Sequence, residues 1–99
     1  MKNSLLFVGF ALLAASGSAM AFKGQQYASA AKISLEAARD IALKARPGTI
    51  TDQELERERD GSGLRYSFDI KVGSQTYEVG VDAKTGKLLE NSLEGSNPD

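Results

Sequence analysis

The chain has no cysteine, no histidine and no tryptophan, and only two prolines among its 99 residues. Without cysteine there is no disulfide framework, no thiolate zinc site and no cysteine nucleophile. Without histidine, the Ser-His and Cys-His nucleophile pairs and imidazole acid–base chemistry are excluded too. An excess of one charge is also missing: twelve Lys and Arg stand against thirteen Asp and Glu, a formal net charge of -1. A net charge so near zero gives no long-range attraction to nucleic acid, whose binders show a basic face, and no nucleic-acid partner is expected. Its length allows one small domain.

What is present begins with a leader. Lys2 supplies a positive start, residues 5–15 form an apolar run, and Ala19-Met20-Ala21 offers small residues at both positions of an A-x-A cleavage site. The run is shorter than the roughly 20 residues that a membrane-spanning helix needs. A cleaved secretory signal peptide is expected over residues 1–21, with no membrane span after cleavage and a periplasmic or secreted destination. A mature domain starting at Phe22 falls below about 80 residues, a size that usually calls for disulfide or metal staples. Regular local structure, or a partner, has to make up for their absence; the oligomeric state is left open.

Residues 22–32 are polar and Ala-rich and are expected to form at most a short helical turn, over residues 25–31. The main helix has clearer signals. Ser34 is a suitable N-cap, Glu36 puts negative charge in the first turn, and Pro47-Gly48 closes the segment. Leu35, Ala38, Ile41, Ala42 and Ala45 form one apolar stripe at helical spacing. Leu43 lies off the stripe, either covered by the segment around Tyr27 or exposed.

After Gly48 the apolar period changes from helical to two. Leu64, Tyr66, Phe68, Ile70 and Val72 alternate with polar residues, as do Tyr77, Val79 and Val81. Gly73-Ser74 fits a two-residue hairpin turn with a positive φ at glycine. Pairing Val72 with Gln75 places Ile70 opposite Tyr77, Phe68 opposite Val79 and Tyr66 opposite Val81, so every inward residue meets an inward residue. Residues 51–59 are expected to form the preceding strand through a hairpin at Asp60-Gly61-Ser62-Gly63. That pairing puts Leu55 opposite Phe68, Glu58 opposite Arg65, Asp52 opposite Lys71, and Arg57 beside Tyr66. A helix over residues 52–59 is the competing reading on propensity, but it would have only Leu55 to bury. Asp82 and Gly86 bound a turn, with Asp82 accepting backbone N–H groups and Gly86 left-handed, before a short fourth strand at Lys87-Leu88-Leu89. Its register is left open. The chain turns polar at Asn91, and a disordered tail is expected over residues 93–99, beyond the domain. The fold class is α+β: one main helix, preceded by at most a short helical turn, on an antiparallel meander of three to four strands in two layers.

These residues, in order, resemble a PepSY domain: Ile33-Ser-Leu-Glu-Ala-Ala, Ala42-Leu-Lys-Ala-Arg-Pro47-Gly48, Glu54-Leu-Glu, and Tyr77-Glu-Val-Gly-Val-Asp82-Ala-Lys-Thr-Gly86-Lys-Leu-Leu. The resemblance spans about residues 32–91, within a domain expected over residues 33–92. It implies a non-catalytic module of the kind found in propeptides of secreted metalloproteases and in small bacterial cell-envelope proteins, where the role is to bind and restrain peptidases. No catalytic residue, cofactor or metal follows from it. With no protease domain in this chain, restraint would act in trans on another polypeptide, such as a peptidase. The alternative is a structural or sensory accessory of the envelope that binds a small ligand or a signalling ectodomain without inhibition.

The expected register places Glu54, Asp69 and Glu78 side by side on the solvent face, and adjacent like charges favour a cation. They are the candidate partner contact, for a basic segment, with a weak calcium site as the lesser reading. The plain alternative is a solvated face relieved by Lys71 and Arg65. Glu56 and Glu58 do not make an acid–base pair, because open strand faces do not separate carboxylate pKa values. Lys32 beside Ser34 reads as an exposed lysine next to a cap. Arg57 and Arg59 could clamp an acid, but a contact of Arg57 with the Tyr66 ring or a nearby Glu is the plainer account. Asp82, Gly86, Gly73, Pro47 and Gly48 are read as structural turn residues.

Overall fold

Ser34 holds an extended backbone, and its Oγ accepts the Ala37 N–H at 3.1 Å, starting helix α1 over Leu35–Ala45. Such a cap contributes about 1 kcal/mol. The computed structural model describes residues 22–95; the expected leader at 1–21 and the last residues, 96–99, lie outside the described residues. Leu35, Ala38 and Ala42 are buried along one face of α1, with Ile41 and Leu43 packed at the margin of the core. Two alanines at the contact let the helix lie close to the sheet. Pro47 and Gly48 follow the Arg46 cap, and a Cβ on Gly48 would lie 2.6 Å from the Lys71 carbonyl oxygen. Gly48 is therefore a close-approach residue as well as a helix stop.

Four strands follow: β1 over Thr49–Arg57, β2 over Leu64–Val72, β3 over Gln75–Asp82 and β4 over Leu88–Leu93. They form one antiparallel sheet in the order β1-β2-β3-β4. The fold is α+β, with α1 on one sheet face. Residues 52–57 belong to β1, so the helix alternative is excluded. Between β2 and β3, Val72 pairs with Gln75, Ile70 with Tyr77, Phe68 with Val79 and Tyr66 with Val81, the register that alternation requires. Leu55, Leu64, Tyr66, Phe68, Ile70, Val79, Val81 and Ala83 are buried between sheet and helix. The Tyr66 hydroxyl donates to the Ile33 carbonyl at 2.9 Å, so its polar end is satisfied inside.

Two parts of the meander differ from expectation. β1 is displaced by two residues: Leu55 faces Tyr66, Gln53 faces Phe68, Glu56 faces Arg65, and Asp52 faces Asp69. β1 ends at Arg57, and the connection is longer than the expected four-residue turn. A slip of two keeps every side chain on its face, so Leu55 still enters the core. The second difference is β4, which runs to Leu93 and so takes in Asn91 and Ser92; Glu94 N–H then donates to the Thr76 carbonyl.

The N-terminal segment has more structure than its composition suggests. Gln25–Ala30 is a 3-10 turn, and Leu55 N–H donates to the Lys23 carbonyl at 2.8 Å, docking the segment on β1. Phe22 packs on the Tyr66 ring, centroids 6.5 Å apart. Arg57 lies over the Tyr27 ring at 5.0 Å, and not over Tyr66, because Tyr66 is buried on the helix side of the sheet.

Candidate functional site: the acidic outer face of the sheet

With α1 covering one face, the alternate residues of each strand point away from the helix. Three cross-strand rows result. Asp52, Asp69, Glu78 and Ser92 form the first; Glu54, Ser67, Gly80 and Glu90 the second; Glu56, Arg65 and Asp82 the third. The expected trio is thus partly regrouped: Asp69 and Glu78 are direct partners, while Glu54 stands one row along and Asp52 takes its place. All three still line one open hollow of about 230 Å³, together with Asp52, Glu56, Ser67, Arg65 and Glu90.

Arg65 organises one side of this hollow. Its Nε donates to Glu56 at 3.3 Å and to Ser67 Oγ at 3.0 Å, its Nη2 donates to Glu90 at 2.9 Å, and Glu58 lies 3.9 Å from Nε. Ser67 Oγ in turn donates to Glu56 at 2.7 Å. Gly80 makes the reach to Glu90 possible, because a Cβ there would sit 2.9 Å from Arg65 Nη1. Burial pushes the Glu56 carboxyl up, but the hydrogen bonds from Ser67 and Arg65 outweigh it and hold the group below the usual carboxylate range. Arg65 stays charged, since its carboxylates outweigh the cost of its partial burial.

The other side of the hollow has no such partner. Partial burial, then the neighbouring Glu94 and Asp52, push Asp69 up; partial burial, then Glu90, Asp69 and Glu94, push Glu78 up. Glu54 is raised by partial burial and by Glu56. Carboxylate oxygens of Asp69, Glu78 and Glu94 lie within 4.8 Å of one another, close enough to converge on one cation. Among the described residues Lys71 makes no ion pair, and Arg65 is engaged with Glu56, Glu58 and Glu90. What this arrangement can do is attract and hold positive charge.

The turn residues stand elsewhere. Asp82 is buried at the end of β3 and accepts from Lys84 N–H at 2.8 Å, Thr85 N–H at 3.0 Å, Ser62 N–H at 2.6 Å and Ser62 Oγ at 2.8 Å. Gly73 (φ +64) and Gly86 (φ +79) occupy the two turns that flank β3. Neither these residues nor Pro47 and Gly48 line the acidic hollow.

Sequence reasoning missed Asp52, Glu90 and Glu94 as members of this face. Asp52 was displaced by the two-residue register difference. Glu90 and Glu94 lie beyond the Lys87-Leu88-Leu89 strand that the turn suggests, although Glu90, Ser92 and Glu94 alternate at period two, the one local signal of a longer β4.

Among the described residues no helix is long and apolar enough to cross a membrane. Comparison with curated proteins and with solved structures gives no match. The family model for PepSY, described as the peptidase propeptide and YPEB domain, matches residues 32–91. Domains of this family are of the propeptide or inhibitor type, generally non-catalytic, commonly interact with peptidases and are typically extracellular or periplasmic. The match takes in α1 and the sheet almost entirely, ending within β4, and on that basis the chain belongs to the PepSY family.

Proposed function

We propose that this protein is an exported PepSY module that binds a separate polypeptide, a peptidase or another envelope protein, and restrains it by contact without catalysis of its own. Export is supported by the leader-like residues 1–21 and by the usual location of the family. The observation that carries the binding reading is the outer sheet face: Asp69, Glu78 and Glu94 cluster there without a cationic partner, which disfavours the free protein and is relieved when a basic segment arrives. Glu54 belongs to the same surface and is part of the proposed contact.

The test is a titration of the protein against the peptidases of the same cell envelope. Stoichiometric loss of one peptidase's activity is expected. The variant carrying Glu54→Gln, Asp69→Asn and Glu78→Gln is expected to be more stable than the wild type and at least tenfold weaker as an inhibitor. No effect of the wild type on any peptidase would favour a sensory or structural accessory instead.

A further inference from the structure

The two edges of the sheet are guarded differently. An edge strand offers backbone N–H and C=O groups to any extended chain, and proteins block it with bulges, charges, proline or a covering segment. β1 carries three such devices: a bulge between Ile50 and Asp52, charged side chains along its length, and cover from the N-terminal segment, where Lys23 bridges Glu54. β4, at the other side, reads Leu-Leu-Glu-Asn-Ser-Leu, without proline or lysine. The irregularity in its pairing lies at its start, and Glu90 to Leu93 are in unbroken register with β3. Leu88 is 41% exposed, and among the described residues no strand pairs with the outer side of β4.

We infer that the outer edge of β4 takes up an extended segment of a partner protein as a fifth strand, one in which basic and apolar side chains alternate. The inference rests on the proposed binding function and assigns it a place and a ligand chemistry. Charge specifies the occupant. On the outer face, side chains of an added strand fall beside Glu90 and Ser92, and Ser92 is itself paired with Glu78. At a strand spacing of about 4.8 Å, a lysine or arginine opposite Ser92 reaches Glu78 and Glu94. Arg65 makes its ion pairs with Glu56, Glu58 and Glu90; its attraction is the smallest of the influences on Glu78 and does not offset the neighbouring carboxylates there, so the arriving cation is still favoured at Glu78 and Glu94. On the other face, alternate side chains fall on the level of Leu88 and Asn91, at the margin of the core, where apolar residues cover the leucine. A second copy of the chain suits this edge poorly, because pairing β4 with itself sets two copies of the acidic face side by side.

The experiment is amide hydrogen exchange on the isotope-labelled protein with an eight-residue peptide of alternating lysine and valine, and with its glutamate–valine counterpart. Slowed exchange across β4 with the basic peptide alone is expected. Affinity should fall at least tenfold in the Glu78→Gln, Glu94→Gln double variant and fall further with added salt. Leu88→Lys, an edge guard at an exposed position, should abolish binding without lowering the thermal midpoint. Protection on β1, equal affinity for both peptides, or no binding would each overturn the inference. Protection of β4 that depends on protein concentration without peptide would assign the edge to a second copy instead. If Leu88→Lys restrains a peptidase as well as the wild type, the edge assignment fails while the binding function stands; uptake of the peptide without restraint of any peptidase is the reverse result.

Discussion

Asp82 shows how one side chain can close two loops. It is a buried carboxylate, yet all its charge is matched: Oδ1 takes the Lys84 and Thr85 N–H groups and Ser62 Oγ, and Oδ2 takes the Ser62 N–H. Burial alone would raise its pKa, but these donors outweigh it and hold the group far below the usual carboxylate range. Asp82→Ala strands several N–H groups and is expected to cost about 3 kcal/mol, measured by urea unfolding. Asp82→Asn should recover only part of this, because one of its two positions becomes an NH2 facing other donors. The sequence suggested only that Asp82 accepts backbone N–H groups in its own turn, and those of Lys84 and Thr85 are such local bonds. The bonds to Ser62 join residues twenty apart and follow only from β3 ending beside the β1–β2 loop.

At the scale of elements, that contact explains the register. Two-residue hairpins fix their own pairing, so β2 and β3 were legible from Gly73-Ser74 and alternating side chains. The loop before β2 is longer and is anchored from outside, by Asp82, so residues 58–63 alone could not give the pairing of β1. The N-terminal segment is likewise placed by a contact rather than by propensity: Gly24 has φ +86, and a Cβ there would lie 1.7 Å from the Leu55 carbonyl oxygen. Gly24→Ala should release the segment from β1. Faster exchange of the Leu55 amide and a loss of about 1 to 2 kcal/mol in unfolding free energy are expected.

At the scale of the whole molecule, two groups of carboxylates pull the pH dependence in opposite directions. Asp82 and Glu56 are held below their ordinary values, so their stabilisation is complete above about pH 4 and is lost as pH falls through their folded pKa values. Glu54, Asp69 and Glu78 are raised, so their ionisation opposes folding, and lowering pH from neutrality through their folded pKa values stabilises the protein. The thermal midpoint should therefore rise from pH 7 to a maximum near about pH 4 to 5, then fall in stronger acid. In the Asp69→Asn, Glu78→Gln double variant most of the rise should vanish and the acid fall should remain. A midpoint that declines steadily from pH 7 would contradict this reading of the face.

The sequence by itself determined the chemistry that is excluded, the helix with its cap and stripe, the two central strands with their register, and the α+β class. Each of these rests on signals a few residues apart: side-chain period, turn length and capping. Tertiary structure alone decided the pairing of β1, the docking of the N-terminal segment and the place where β4 ends, and hence which carboxylates share the acidic face. Those depend on contacts between distant residues, Ser62 with Asp82, Lys23 with Leu55 and Glu94 with Thr76, whose partners are polar and common enough that no local pattern singles them out.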